Sequence, residues 1–201
     1  MKANRTLILN ALLIVVLLVS CKKEENNPPP TPPTTTIAIG ESYQGGKIAY
    51  ILQAGDIGYD ANVPHGLIAA PSDQSTGASW GCKGTLIQGV NWNNAIGTGS
   101  QNTFEIMVSC STIGIAARLC GDLVLGGYSD WYLPSSEELD KLYLNKVAIG
   151  GFGIYGYWSS TENYDGYGND GIAIEQGFYD GEQYFTEKDF NENYVRAVRA
   201  F

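Results

Sequence analysis

Leu133-Pro134-Ser135-Ser136-Glu137-Glu138-Leu139 is the stretch from which the rest of the chain can be read. Ser135 can accept the backbone N–H of Glu138, whose carboxylate can reach back to the N–H of Ser135, a capping box that starts a helix. Leu139, Leu142 and Tyr143 then recur at helical spacing and predict a face turned to a core. Upstream, Gly45 to Leu52 reads as a strand after a glycine turn, and His65 to Ala70 as a second strand stopped by Pro71. Residues 72–101 predict a long, mostly irregular region with Trp80 and Trp92 as anchors. A short helix is expected over Phe104 to Val108. A longer one is expected over Ile113 to Asp122, with Ile113, Ala116, Ala117 and Cys120 on its apolar face. Beyond residue 150 strands dominate. Phe178 to Phe185 reads as a hairpin with Asp180-Gly181 in a type I′ turn, and Tyr194 to Phe201 as a closing strand. The class expected is α+β, with a small, mostly antiparallel sheet, a few helices and long loops.

Ahead of this domain lies a different kind of sequence. Met1 to Arg5 is positively charged, and Leu7 to Val19 is almost continuously apolar. That run is shorter than the ~20 residues a spanning helix needs, so residues 1–20 read as a signal peptide. It ends in Leu18-Val19-Ser20-Cys21, which looks like a bacterial lipobox. Cys21 is therefore the expected lipidation site, and the membrane, reached through that lipid, an expected partner. Residues 21–36 hold five of the eight prolines. Such a Pro/Thr-rich run favours polyproline II and reads as a stiff tether, able to hold residues 37–201 roughly 45 Å from a membrane. The location expected is the bacterial outer membrane or cell surface, with the domain outside the cytoplasm.

Residues 37–201 carry 8 Lys+Arg and 19 Asp+Glu, a net charge of −11. Nucleic acid and polyanionic glycans would be repelled by such a domain. Three cysteines follow Cys21, and in an oxidising compartment three thiols make one bridge and one spare. Cys120 lies on the apolar helix face, so the expected pair is Cys82 with Cys110, both in loop-like contexts.

Three motifs in order resemble one family. They are Gly126-Gly127-Tyr128-Ser129-Asp130-Trp131-Tyr132-Leu133-Pro134-Ser135-Ser136-Glu137-Glu138-Leu139, Tyr157-Trp158-Ser159-Ser160-Thr161-Glu162, and Tyr194-Val195-Arg196-Ala197-Val198-Arg199. Together they are similar to the Lcl C-terminal domain family, over nearly all of residues 37–201. The resemblance implies a C-type-lectin-like domain in which Trp131 and Trp158 are core residues. Arg196 and Arg199 would then pair with buried carboxylates such as Glu137, Glu138 or Glu162, because an unpaired buried charge is costly. The sulfated-glycan ligands of the family's namesake do not carry over to a domain at −11. The Glu-Pro-Asn type sugar loop of true C-type lectins is absent too, since no proline follows Pro134.

Catalysis finds little support in the residues. His65 is the only histidine and opens an apolar strand, where a structural role is expected; no catalytic residue is assigned. No metal is assigned either. A looser calcium site from Asp165, Asn169 and Asp170 is the alternative to a solvated acidic loop. The segment that stands out is 163–194, where 32 residues include five Tyr, three Phe, five Gly, four Asn and four Asp. Rigid aromatics beside adaptable Gly and Asn are what binding surfaces use. The loops in 163–185 are accordingly expected to contact a protein or glycan ligand, through Tyr164, Asp165, Tyr167, Asn169, Asp170, Phe178, Tyr179 and Asp180. A structural envelope protein without a dedicated ligand is the alternative, and an enzyme the remote one. All twelve residues from Asn163 to Ile174 are reachable from an Asn codon by changing its first two bases. Lectin-like relatives include variable proteins diversified by retroelements in that manner. On that reading Glu175, Gln176, Glu182 and Gln183, which cannot arise so, are fixed.

Overall fold

The computed structural model describes residues 37–164 and 171–201. In chain order the elements are β1 (Ser42–Tyr43), β2 (Gly46–Ile51), β3 (Gly66–Ala69), β4 (Ser75–Ala78), α1 (Gly99–Ser109), α2 (Ala116–Gly121), α3 (Ser136–Leu144), α4 (Lys146–Ile149), β5 (Gly156–Asn163), β6 (Ile172–Gly177), β7 (Gln183–Glu187), β8 (Asn193–Val195) and β9 (Val198–Ala200). The class is α+β. Two sheets form where one was expected: β1-β2-β3-β9, antiparallel throughout, and β4-β8-β5-β6-β7. The second sheet is antiparallel except at Tyr157↔Tyr194, where β5 and β8 run parallel.

The expected closing strand from Tyr194 to Phe201 is broken in two, and its halves lie in different sheets. The break falls at Arg196, a fully buried side chain. Its guanidinium donates to Asp73 at 2.7 Å, to the carbonyls of Ala70 and Gly151, and lies 4.1 Å from the Phe152 ring centre. The backbone also leaves both ladders there, with Ala197 N–H donating to the Gln74 side chain, and the chain passes from one sheet to the other. The segment after β3 crosses beside it, with Ala70 N–H donating to Ala197 O at 2.9 Å and Gln74 N–H to Val195 O at 2.8 Å.

The Ser135–Glu138 capping box forms as read, with Glu138 N–H on Ser135 Oγ at 3.2 Å and Ser135 N–H on Glu138 Oε2 at 2.8 Å. Leu139 and Leu142 are buried beside Tyr132, Tyr157 and Phe178 in one core cluster. A second cluster centres on Trp80, Trp131 and Trp158. Burying Trp80 and Trp158 is feasible because each indole N–H has a carbonyl, Ser159 O at 2.8 Å and Ala78 O at 2.7 Å. The helix expected over Phe104 to Val108 runs from Gly99 to Ser109. The next begins only at Ala116, because Gly114 takes a left-handed φ of +74° before it; Ile113 is thus 88% exposed and not on the apolar face. Cys82 and Cys110 are bridged, and Cys120 is a buried free thiol. Burial pushes that thiol well above its usual range, which disfavours the reactive thiolate.

The cation partners differ from those the resemblance implies. Arg196 pairs with Asp73 and Arg199 with Asp130, whereas the buried Glu162 carboxylate meets Lys188. Glu138 receives Gly97 N–H at 2.9 Å and Tyr132 O–H at 3.3 Å in addition to its capping bonds. A carboxylate with three such donors does not need a cation beside it. Desolvation still raises its pKa, with those hydrogen bonds opposing the shift. No helix among the described residues is long and apolar enough to cross a membrane.

Candidate functional site: the aromatic edge strand

β7 is one edge of the five-stranded sheet among the described residues, β4 being the other, and side chains at its centre stand exposed. Its register on β6 sets Phe185 opposite Ile174 and Tyr184 opposite Glu175. Successive side chains on a strand leave opposite faces, so Tyr184 and Phe185 serve two different surfaces.

Phe185, 60% exposed, meets Trp92 edge to face at 5.9 Å between ring centres. Trp92 is 50% exposed, so the expectation that it anchors a loop by burial is corrected; Trp80 alone does that. Trp92 is carried there by the end of β5: its N–H donates to Glu162 O at 3.0 Å, and the neighbouring Asn91 Oδ1 accepts Tyr164 N–H at 2.7 Å. The backbone at Trp92 is left-handed, with φ of +55°. Bulky residues seldom adopt that region, and local strain is retained where surrounding bonds over-determine it. An exposed Trp held at such a cost gains nothing for the core.

On the other face Tyr179, 63% exposed, stacks against Tyr184 with a 6.4 Å ring separation and 17° between planes. The Tyr184 hydroxyl donates to Asp180 Oδ2, a bond that holds the phenol pKa above its ordinary value. Asp180 Oδ1 accepts Glu182 N–H at 3.1 Å, which locks the hairpin tip. The turn is longer than a two-residue type I′. Gly181 alone of its residues has positive φ, +89°, and its N–H reaches back to Gly177 O at 2.8 Å, while Gly177 N–H bonds Glu182 O at 2.9 Å. Gln183 Nε2 fastens the base of the hairpin to Ser136 O at 3.0 Å and Gln176 Oε1 at 2.9 Å. The aromatics therefore stand on a braced element, which leaves little to be ordered were they covered.

The structure brings Tyr179 and Asp180 together with Tyr184, and sets Tyr164 by its backbone next to Trp92. Phe178 is a correction. It is 2% exposed and packs against Tyr157 at 4.2 Å and Phe152 at 4.9 Å between ring centres, so it belongs to the core and meets no ligand. Asp165, Tyr167, Asn169 and Asp170 lie outside the described residues, and with them the looser calcium site. Among the described residues no cluster of three or more His, Cys, Asp or Glu could hold a metal. Phe185 ends the expected contact segment 163–185 without having been singled out in it, and Trp92 was missed because an aromatic in a loop reads as an anchor; their partnership joins positions 93 residues apart in numbering and exists only in the folded chain.

No family model matches the chain, and no curated protein matches it.

Proposed function

We propose that the chain is a lipid-anchored ligand-binding protein of lectin-like fold, whose β6–β7 hairpin and Trp92 contact a protein or a neutral glycan. The observation that carries this reading is the Trp92–Phe185 pair, two large aromatics kept in solvent on rigid backbone. Flat rings with few rotatable bonds suit sugar faces and protein anchors alike, because little entropy is lost when they are covered. The acidic surface directs the choice away from sulfated or phosphorylated ligands.

Cys21 and the proline tether supply the anchor in this proposal. Changing Cys21 to Ser should stop incorporation of labelled fatty acid and release the protein from membranes; unchanged labelling would remove the anchor from the account. Ligand binding is tested by comparing the wild type with the double variant Trp92→Ala, Phe185→Ala on arrays of neutral glycans and on intact cells. Loss of retention at an unchanged melting temperature supports the aromatic site. Equal retention of both proteins would move the contact elsewhere.

A second reading, a structural envelope protein making lateral contacts, is favoured by exposed apolar groups on α1 and on either side of α2. Phe104 and Val108 are exposed one turn apart on α1, and Ile113 and Val124 are exposed around a hollow shared with Leu119 and Leu123. Retroelement diversification of 163–174 also remains a proposal. Ala173 and Ile174 are core residues and cannot vary freely, which shortens the window it could use. A reverse transcriptase gene with a near-copy of the 3′ end beside the coding sequence would support it.

A further inference from the structure

Away from the aromatic edge, a cavity of about 370 Å³ opens between the first sheet, the 52–58 segment and the start of α1. Its walls are apolar: Leu52, Ile57, Leu67, Ile96 and Phe201, together with the Tyr132 ring. His65, Ser100 and Asp130 are the polar residues that line it besides Tyr132. The volume lies within the range of small-molecule sites, as does the combination of apolar walls and a few placed polar groups.

The back wall is preorganised. Gly97 and Tyr132 line the cavity, and both donate to Glu138, at 2.9 Å from the backbone N–H and 3.3 Å from the hydroxyl. Glu138 is itself fixed by the capping box of α3. The donors on that wall are thus consumed internally. The side chains that remain for a ligand are mostly acceptors. His65 Nδ1 lies 3.1 Å from Phe201 O, and a carbonyl can only accept, so Nδ1 carries the proton of the neutral ring. Nε2 is then the acceptor. Asp130 receives Arg199 on both oxygens, at 2.8 and 2.7 Å, and each carboxylate oxygen keeps a further lone pair. Arg199 spends Nε and Nη2 on Asp130 and Nη1 on Gln44, so it has little to offer an anion. Ser100, exposed in the first turn of α1, can accept or donate.

The geometry points to a second, independent binding site here, for a small molecule with an apolar ring or branched body and an amino or hydroxyl donor. The body fills the space between Leu52, Ile57, Ile96 and Phe201, and the donor reaches Asp130, His65 Nε2 or Ser100. A carboxylate on the same body is disfavoured, because the side chains it would face, Asp130 above all, are acceptors within a domain of net charge −11.

Phenethylamine, phenethyl alcohol and phenylacetate share one apolar body and differ only in the polar end. Each is titrated into the full chain, with backbone amide shifts followed by NMR. The expected result is saturable shifts at Leu67, Ile96 and Ala200 for the amine and the alcohol, with phenylacetate weaker by at least about tenfold. Ala200→Trp and Ser100→Phe, both substitutions at exposed positions that put bulk into the opening, should each abolish those shifts while leaving the melting temperature unchanged. Two fillers are used so that one unstable variant does not decide the matter. Equal binding of phenylacetate would overturn the donor requirement. Absence of saturable shifts for all three compounds, or shifts that survive both fillers, would overturn the site. The Trp92→Ala, Phe185→Ala variant should bind the amine normally, which separates this site from the aromatic edge.

Discussion

Glu138 accepts the backbone N–H of Gly97 at 2.9 Å, across 41 residues, with the same carboxylate that caps its own helix. One side chain thereby joins α3 to the segment that leads into α1. The approach is close enough that a Cβ at Gly99 would collide with Glu138 Oε2 and Ser135 N, so glycine is needed there. Glu138→Ala should lower stability by about 2 kcal/mol or more, since it leaves buried donors unmet. Desolvation raises the Glu138 pKa in the fold, so its stabilising contribution is complete below the unfolded value of about 4.3 and is lost as pH rises through the folded pKa. Denaturant titrations of wild type and Glu138→Gln across pH 3 to 8 (a range of roughly five units around the Glu reference value) should show the wild type losing ground to the variant as pH rises. A constant difference would remove this group from the pH dependence.

Asp130 has the opposite sign. The Arg199 guanidinium lowers its pKa, so the stability it contributes is present above the unfolded value of about 3.9 and is lost as pH falls through the folded pKa. Asp130→Asn should flatten the acid limb of the stability curve and leave the neutral limb nearly unchanged in slope. The comparison needs low salt, because the Asp130 side chain is 59% exposed and its pairing is screened.

Lys188 and Glu162 form a wholly buried ion pair, with Lys188 Nζ also on Thr85 O at 2.8 Å and 4.7 Å from the Trp80 ring centre. Lys188→Met leaves a buried carboxylate without its cation and should cost about 3–5 kcal/mol. Adding Glu162→Gln removes the stranded charge while keeping an acceptor for Ile87 N–H, which lies 2.8 Å away. The double variant should therefore be more stable than Lys188→Met alone, as read from urea midpoints. A double variant at or below the single would show that the carboxylate charge is not what Lys188 neutralises.

Scaffold and site should separate cleanly. Trp158→Ala removes a fully buried ring and should cost about 3–5 kcal/mol, and Leu139→Ala about 2–5. Tyr179→Ser with Tyr184→Ser, both at exposed positions, should change stability by less than about 1 kcal/mol. Calorimetric melting of the three proteins checks this, and a hairpin variant as unstable as Trp158→Ala would make the tip part of the core.

Reduction of the Cys82–Cys110 bridge, which spans 28 residues, should cost about 3–4 kcal/mol. Mass spectrometry of the unreduced native protein should find Cys120 unmodified by a thiol reagent until denaturant is added, because the thiol is fully buried.

The sequence by itself determined what short-range chemistry determines. Ser135 and Glu138 are three residues apart, so their capping box was readable and forms as read. The glycine-turned strands, Pro71 as a stop, and a hairpin turning at Asp180-Gly181 were likewise local patterns, although that hairpin was read over 178–185 and its strands are Ile172–Gly177 and Gln183–Glu187. So was the reason to keep Cys120 out of a bridge, since its place on an apolar helix face follows from spacing. Tertiary structure decided the rest. Arg196 could have met any of several carboxylates, and only the crossing of two sheets put Asp73 within reach. Phe178 and Tyr179 are neighbours of similar character, yet one is core and the other solvent, because both lie in the turn after β6 ends at Gly177 and only Phe178 packs against Phe152 and Tyr157. Trp92 looked like an anchor until Asn91 and Glu162 fixed the backbone that turns it outward. Each of these choices depends on partners tens of residues away, whose meeting requires the loop entropy between them to be overcome by the whole core at once.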